Sequence, residues 1–167
     1  MFKYKNQRVG VFVDVANMYH SAKNLYKTNV NFAKVLEVAI AKRQIIRAIA
    51  YVVKSDTKEE KHFFDVIAKQ GFEINSKDLQ IFSGGMKKAD WDVGLTVDAI
   101  KMADKLDVVV LVSGDGDYIP LVSYLKNNKG CLVEVMAFGE TTSSKLIEEA
   151  DEFTNLSKNK KKFLINK

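Results

Sequence analysis

The sequence predicts an α/β fold built on a mainly parallel sheet, and two observations support this prediction. The hydrophobic pattern alternates along the chain between the two-residue repeat of strands and the 3.6-residue repeat of helices, as expected for successive βα units. The apolar runs at residues 9–13 and 108–112 are continuous, which is typical of strands buried on both faces of a parallel sheet. With 167 residues, 47% of them hydrophobic, the chain is long enough for one domain with a sizeable core.

The same patterns place the elements in order along the chain. Gly71 and Gly130 lie just past the ends of two expected helices, where glycine commonly ends a helix. Pro120 lies in the first turn of another helix, where its missing N–H costs no hydrogen bond. Strands are expected at 8–14, 45–53, either 72–75 or 79–82, 107–113 and 131–137, and helices at 17–26, 31–42, 57–70, 92–105, 117–129 and 143–151.

Acidic residues follow the two buried strands at the point where each strand ends. Asp14 comes directly after the first apolar run, and Asp115 and Asp117 follow the second on a glycine-containing turn. Because ligands of open parallel sheets bind at the carboxyl ends of the strands, we expect these acids to share one cleft. Two carboxylates 4 Å apart repel by roughly 4 kcal/mol at an effective dielectric constant near 20, so a divalent metal is the simplest partner for the group.

The helix expected at 92–105 carries further acids. Asp92 lies on its broad apolar arc, so it is either a fourth carboxylate aimed at the cleft or a first-turn acid that caps the helix. The other members of the arc are Val93, Leu95, Val97, Ala99, Ile100, Met102 and Ala103. Asp98 lies on the polar side, where a surface pairing with Lys101 is expected, and it is therefore a second-tier candidate. Asp90 precedes the helix and is either a cap or a ligand.

Each of the other polar candidates has two interpretations. Asn17 would orient a metal-bound water or cap the first helix, and the two acids at 115 and 117 are also ordinary turn residues. Lys87 and Lys88 lie on a glycine loop and would hold phosphates, or form a solvated charge pair. The aromatic residues Trp91, Tyr19 and Tyr118 flank the acids and would stack on bases, or pack into the core, which is the expectation for at least two of the three.

The candidate ligands are carboxylates, without a partnering His or Cys, and such hard oxygen ligands select Mg²⁺ or Mn²⁺ over zinc or copper. Two such ions would activate a water and stabilise the leaving oxygen of an in-line displacement at phosphorus. Phosphodiester hydrolysis is therefore the expected reaction class.

The net charge of +5 is located at the carboxyl end of the chain. Residues 158–167 contain five lysines and no acid, which accounts for the whole excess of basic residues. We expect a domain at 1–157 and a basic, disordered tail at 158–167, which would either attract phosphate backbones or only solubilise the protein.

The remaining composition is typical of a cytoplasmic protein. The apolar stretches are much shorter than a membrane span of roughly 20 residues, and the amino-terminal residues lack a signal-peptide pattern. The single Cys131 excludes an internal disulfide and is expected to be a small buried hydrophobe. His20 and His62 are expected to be structural or surface residues.

Three ordered motifs resemble the NYN branch of the PIN-like nucleases, of the LabA type. They are Val11-Phe-Val-Asp14-Val-Ala-Asn17, Lys88-Ala-Asp-Trp-Asp92-Val-Gly-Leu-Thr-Val-Asp98 and Leu111-Val-Ser-Gly-Asp115-Gly-Asp117-Tyr118. The resemblance covers about residues 7–157, including a closing segment at 150–156. The chain departs from the family pattern at Ala89-Asp90-Trp91, where many members have Gly-Val before the acid.

The resemblance implies a three-layer α/β/α sandwich, with a Rossmann-like, mainly parallel five-stranded sheet of order 3-2-1-4-5. It also implies a ribonuclease that uses Mg²⁺ or Mn²⁺, and RNA as the partner. By resemblance the metal-binding and catalytic carboxylates are Asp14, Asp92, Asp115 and Asp117, and Asn17 and Asp98 match further family positions. Lys87, Lys88 and Tyr118 are the expected RNA contacts, and a homodimer is a further expectation.

Two rival functions require residues that this chain lacks. A haloacid-dehalogenase-type phosphatase would need a second Asp two residues after Asp14, where this chain has Ala16. A dinucleotide-binding protein would need a G-x-G-x-x-G motif after a strand, and no expected strand is followed by one. The remaining alternative is an RNA-binding or regulatory module with the same fold and little or no turnover.

Overall fold

A computed structural model describes residues 2–55, 57–85, 87–88 and 90–166, with the backbone alone for residues 87 and 88. The strands are β1 (Arg8–Asp14), β2 (Gln44–Lys54), β3 (Glu73–Asp78), β4 (Gln80–Ile81), β5 (Lys87–Lys88), β6 (Val108–Val112), β7 (Leu132–Ala137) and β8 (Glu152–Asn155). The helices are α1 (Val15–Tyr26), α2 (Phe32–Ile40), α3 (Lys58–Lys69), α4 (Asp92–Met102), α5 (Ile119–Lys129), α6 (Ser144–Glu149) and α7 (Lys160–Phe163).

The central sheet has the order β3-β2-β1-β6-β7-β8, and all of its strand pairs are parallel. The first five strands of this order match the expected 3-2-1-4-5 arrangement. The expectation of five strands is incomplete, because β8 adds a sixth strand beside β7. The two expected positions for the third strand are separate elements: β3 joins the sheet, whereas β4 pairs with β5 in an antiparallel hairpin.

Side-chain alternation along the central strands divides the core into two layers. Val9, Val11 and Val13 of β1 pack into one cluster with α1, α2, α3 and α7. Phe12 of the same strand and Leu111 of β6 pack into the other cluster, with α4, α5 and α6. Helices therefore cover both faces, as expected for a three-layer α/β/α sandwich, and β6 is buried along its whole length.

Local signals at the helix ends agree with the sequence. Gly130 ends α5 in the left-handed conformation with φ of 67°, and Gly71 follows α3 with φ of 109°. The proline at 120 lies in the first turn of α5. Cys131 is buried just before β7, with its Sγ 3.6 Å from the carbonyl oxygen of Ala103, so the expected role as a small buried group is confirmed.

The prediction of a disordered tail is wrong for the described residues 158–166. A 3-10 turn at Leu156–Asn159 leads into α7, and Phe163 is only 4% exposed within the core layer of α1 and α2. Asn31 donates a backbone hydrogen bond to the carbonyl of Phe163, and Val30 forms an isolated bridge with Leu164. Burial of two apolar side chains among the lysines orders this segment.

Among the described residues, no helix has both the length and the apolar composition needed to cross a membrane.

Candidate active site

Three carboxylates meet at the carboxyl edge of the central sheet. Asp14 is the last residue of β1, Asp115 follows the neighbouring strand β6, and Asp92 is the first residue of α4. One carboxylate oxygen from each residue lies within 4.8 Å of those from the other two. Because β1 and β6 are adjacent and parallel, their ends bring together acids that are far apart in the sequence.

Asp14 is the most buried member of the cluster, with 6% of its surface exposed. Its Oδ1 accepts a hydrogen bond from the backbone N–H of Asn17 at 3.2 Å, which caps α1. Its Oδ2 lies 3.2 Å from the hydroxyl of Ser113 and 3.3 Å from that of Tyr118. Burial raises the pKa of Asp14 to about 6, because loss of water and the nearby charge of Asp92 outweigh these hydrogen bonds.

Asp92 is half-buried beside it. Its Oδ1 accepts a hydrogen bond from the hydroxyl of Tyr118 at 3.1 Å, so this hydroxyl lies between two carboxylates with one proton to donate. Partial burial raises the pKa of Asp92, and the negative charges of Asp115, Asp90 and Asp117 raise it further. The ionised cluster is therefore strained electrostatically, as expected for a site that binds a cation.

The role of Tyr118 differs from the expected one. Its side chain is 1% exposed, and its ring packs in the core layer of α4 and α5, so it has no face on which a base could stack. The structure contradicts the prediction of an RNA contact and places Tyr118 beneath the acids, where its hydroxyl holds Asp14 and Asp92 in position.

The turn after β6 is capped by one of its own acids, Asp115. Asp115 Oδ1 accepts a hydrogen bond from the backbone N–H of Asp117 at 2.9 Å, and the N–H of Asp115 donates to the Ser113 hydroxyl. Asp115 thus caps the turn and also belongs to the three-acid cluster. Asp117 is exposed and lies outside that cluster, although its charge acts on Asp92. Its expected role as a metal ligand stays a prediction.

Asn17 connects the two strand ends. Its side-chain oxygen accepts a hydrogen bond from the backbone N–H of Gly114 at 3.0 Å. Its own backbone N–H donates a hydrogen bond to the carboxylate of Asp14. The first turn of α1 is thereby tied to the loop that carries Asp115. The geometry indicates a positioning residue for the cluster.

Trp91 fixes the start of α4. Its indole Nε1 donates to the carbonyl oxygen of Val52 at 2.8 Å, and its ring packs edge-on against Tyr51. A Cβ at Gly94 would overlap the indole ring, so glycine is required where the helix passes under it. The start of α4 is therefore anchored to β2 through Trp91, and the side chain of the next residue, Asp92, is held by the hydroxyl of Tyr118.

The expectation of a surface pairing between Asp98 and Lys101 is wrong. Asp98 Oδ2 instead accepts hydrogen bonds from the Tyr51 hydroxyl at 2.8 Å and from Asn75 at 3.3 Å, in a partly buried position. The apolar arc expected on this helix is confirmed only in part: Leu95 and Ala99 are buried, whereas Val93 and Val97 are exposed. Asp98 holds α4 against β2 and β3.

The remaining candidates from the sequence are Asp90, the two lysines at 87 and 88, and Tyr19. Asp90 is partly buried and close enough for its charge to act on Asp92. The side chains of Lys87 and Lys88 lie outside the described residues, so their RNA contacts stay a prediction. Tyr19 is exposed, with its ring edge-on to His20.

Two groups that position the clustered acids were not predicted from the sequence. They are the hydroxyl of Ser113 and the hydroxyl of Tyr118, a residue for which only a stacking or core role was expected. The signal for Ser113 is a polar residue that ends an apolar run directly before the acidic turn. In the part of the chain that the structure describes, no lysine or arginine forms a salt bridge with the three clustered acids. A set of hard oxygen donors without a basic partner fits a divalent cation of the Mg²⁺ or Mn²⁺ type.

Comparison with known proteins agrees with this arrangement. A protein of unknown function from Vibrio parahaemolyticus, VPA0982, has a crystal structure that superposes with a TM-score of 0.89 at 32% identity, covering 99% of this chain and 100% of that one. The low amplitude and bright protein LabA of Synechococcus elongatus is 25% identical over 135 residues, which cover 74% of this chain and 70% of LabA. The family model for the NYN domain matches residues 8–157. Because this match spans nearly the whole chain and includes all three clustered acids, the chain belongs to the NYN domain family, and its fold is PIN-like.

Proposed function

We propose that this protein is a ribonuclease that hydrolyses RNA phosphodiester bonds with Mg²⁺ or Mn²⁺ held by Asp14, Asp92 and Asp115. The observation that carries the proposal is the convergence of three carboxylate oxygens within 4.8 Å at the carboxyl edge of the sheet. Membership of the NYN family supports RNA as the substrate.

Each residue of the site has a defined role in this proposal. Asp14, Asp92 and Asp115 bind the cation, and the exposed Asp117 extends the ligand set toward solvent. The bound metal would activate water and neutralise charge at phosphorus. Asn17 and Tyr118 hold the carboxylates in place, so less reorganisation is needed when the cation binds.

The electrostatics of the cluster support metal binding over a purely structural role. Burial and mutual repulsion disfavour the ionised forms of Asp14 and Asp92, as the upward direction of both pKa values shows. Structural acids of a helix cap are instead stabilised in their ionised form by backbone N–H groups.

The homodimer and the cytoplasmic location stay predictions.

The test is cleavage of a mixture of single-stranded and structured RNA in the presence of Mg²⁺, Mn²⁺ or a chelator. Cleavage is expected with either metal, and it should be lost in the chelator and in Asp14→Asn and Asp92→Asn. Asp65→Asn is the matched control, because Asp65 is an exposed acid on α3 outside the cluster.

Two results would contradict the proposal. Cleavage that persists in Asp92→Asn would show that the nuclease activity comes from another site or a contaminant. A wild-type protein that binds RNA and leaves it intact with both metals would identify the alternative function, an RNA-binding module without turnover.

A further inference from the structure

A cleft of about 650 Å³ opens at the carboxyl edge of the central sheet, where the chain leaves Asp14 and enters α1. It lies on the face of the sheet covered by α1 and α3, between these helices and the carboxyl end of β2, and Val15 and Ala16, which follow Asp14, form part of its wall. This volume is within the range of roughly 300–1,000 Å³ that is usual for small-molecule sites. None of the three clustered acids lines the cleft, so it is a separate feature from the proposed metal site.

The wall of the cleft combines an apolar surface with aromatic rings. Phe63 and Phe64 of α3 form one side, and Tyr19 of α1 faces the cleft from the other. Tyr19 is 46% exposed, so its ring is accessible from the cleft. Exposed aromatic rings beside a groove are the surfaces on which single-stranded nucleic acids stack their bases.

The rim of the cleft is basic on the sides of α1 and β2. Lys23 lies one helical turn after Tyr19, with its Nζ 5.8 Å from the centre of that ring, and Lys54 ends β2. Within the described residues, neither lysine forms a salt bridge. Of the two acids in the wall, Glu60 is already bonded to the backbone N–H and hydroxyl of Ser55.

The cleft continues toward further lysines. Ile165 lines it and also lines a second, smaller cavity of about 340 Å³, whose wall includes Lys27, Lys160 and Lys161. The two cavities therefore share one wall residue and together extend from the start of α1 at Val15 to the basic carboxyl-terminal segment.

We propose that this cleft binds one unstacked nucleotide of a single-stranded RNA, next to the bond that is cut, with its flanking phosphates against Lys23 and Lys54. The proposal rests on the proposed function, because that function supplies RNA as the substrate. A base inside an A-form helix stays stacked on its neighbours and does not reach such a cleft, so the site selects single strands over duplexes.

Binding of a short fluorescein-labelled RNA without self-complementarity tests the proposal, measured by anisotropy in a chelator so that no cleavage occurs. Tyr19→Ala is expected to weaken binding by about 5- to 150-fold, the range for loss of one stacked base, while Tyr19→Phe restores it. Lys23→Gln should lower the slope of log K against log salt by about 0.7. Lys69→Gln, at the other end of α3, is the charge control and should bind normally.

A fully paired RNA hairpin serves as the second probe. It should bind more weakly than the single strand, and Tyr19→Ala should leave its affinity unchanged. The proposal is overturned if Tyr19→Ala and Lys23→Gln bind the single strand as wild type does, which is also the expected result if the cleft accepts a peptide.

A separate readout distinguishes failure of the cleft from failure of the nuclease. The Mn²⁺-dependent rise in melting temperature reports on the carboxylates and does not require RNA. If wild type lacks this rise but Tyr19→Ala still weakens RNA binding, the proposed nuclease fails and the cleft stands. If the rise is present and the RNA affinity of the cleft variants is unchanged, the cleft proposal fails.

Discussion

The side-chain oxygen of Asn17 accepts a hydrogen bond from the backbone N–H of Gly114 at 3.0 Å. This contact joins the first turn of α1, which Asp14 caps, to the loop that carries Asp115. The distance between two proposed metal ligands therefore depends on an amide that is not itself in the three-acid cluster.

Replacement of Asn17 tests this connection. Asn17→Ala leaves the N–H of the buried Gly114 without its acceptor, so we expect unfolding to become easier by about 1–3 kcal/mol. Mn²⁺ affinity should fall as well, because the two strand ends are less firmly held. Urea unfolding and a Mn²⁺ titration followed by melting temperature measure both effects. The control is Asn24→Ala on the exposed face of α1, and equal effects in the two variants would argue against a specific role.

Divalent metal should stabilise the folded protein. At a Mn²⁺ concentration 100-fold above its Kd, the expected gain is about 2.7 kcal/mol, or a rise in melting temperature of about 5–10 °C for a chain of this size. Asp14→Asn should abolish the rise, because it removes a ligand, whereas Asp65→Asn should retain it. Calorimetric scans with and without metal provide the measurement. A full rise in Asp14→Asn would identify Asp14 as a helix cap only.

Stability without metal should depend on pH through Asp14. Its pKa is about 6 in the folded protein and about 3.9 when unfolded, so its ionisation opposes folding. The penalty vanishes well below pH 3.9, grows mainly as the pH rises from about 4 to about 6, and levels off at about 3 kcal/mol above pH 7. Asp14→Asn should therefore be more stable than wild type at pH 8, by an amount that shrinks toward pH 4. Urea unfolding of both proteins in a chelator measures this difference, and a difference that does not change with pH would refute the explanation.

The carboxyl-terminal segment should be part of the folding unit. Phe163 is buried in the core, and Phe163→Ala is expected to cost about 3–5 kcal/mol. Lys161→Ala, an exposed neighbour, should change the stability by less than about 0.5 kcal/mol. Thermal unfolding of the two variants compares them directly. Equal melting temperatures would mean that residues 158–166 do not contribute to the core in solution.

The centre of the fold was predictable because its strands are continuous apolar runs that change abruptly to polar residues where they end. The run at residues 108–112 is apolar on both faces and is followed by acids, so both the strand and the acidic turn after it could be predicted from the sequence. The strand β8 was missed because Glu152–Asn155 is short and only partly buried. β3 was ambiguous because its residues are mostly polar, as an edge strand allows.

The errors at α4 have a different cause. A helical wheel gives the angular position of Asp98 and Val97 but does not show which neighbours cover each face. Asp98 can lie in a partly buried position because the hydroxyl of Tyr51, 47 residues away in sequence, donates a hydrogen bond to it.

The error at the carboxyl-terminal segment arose because its lysines were given more weight than its apolar residues. Phe163 and Leu164 are buried and pack the segment against the core.

The position of β1 in the middle of the sheet has a consequence for how the site forms. β1 pairs with β2 on one side and with β6 on the other, and Ser113 bonds to Asp14 across 99 residues of sequence. The first half of the chain supplies one clustered acid and the second half supplies two. Loop-closure entropy makes such distant pairings slow to form, so we expect the carboxylate cluster to be assembled late in folding, and neither half of the chain contains all three acids. Metal affinity would thus act as a reporter of reassembly if the chain were divided between β4 and β5.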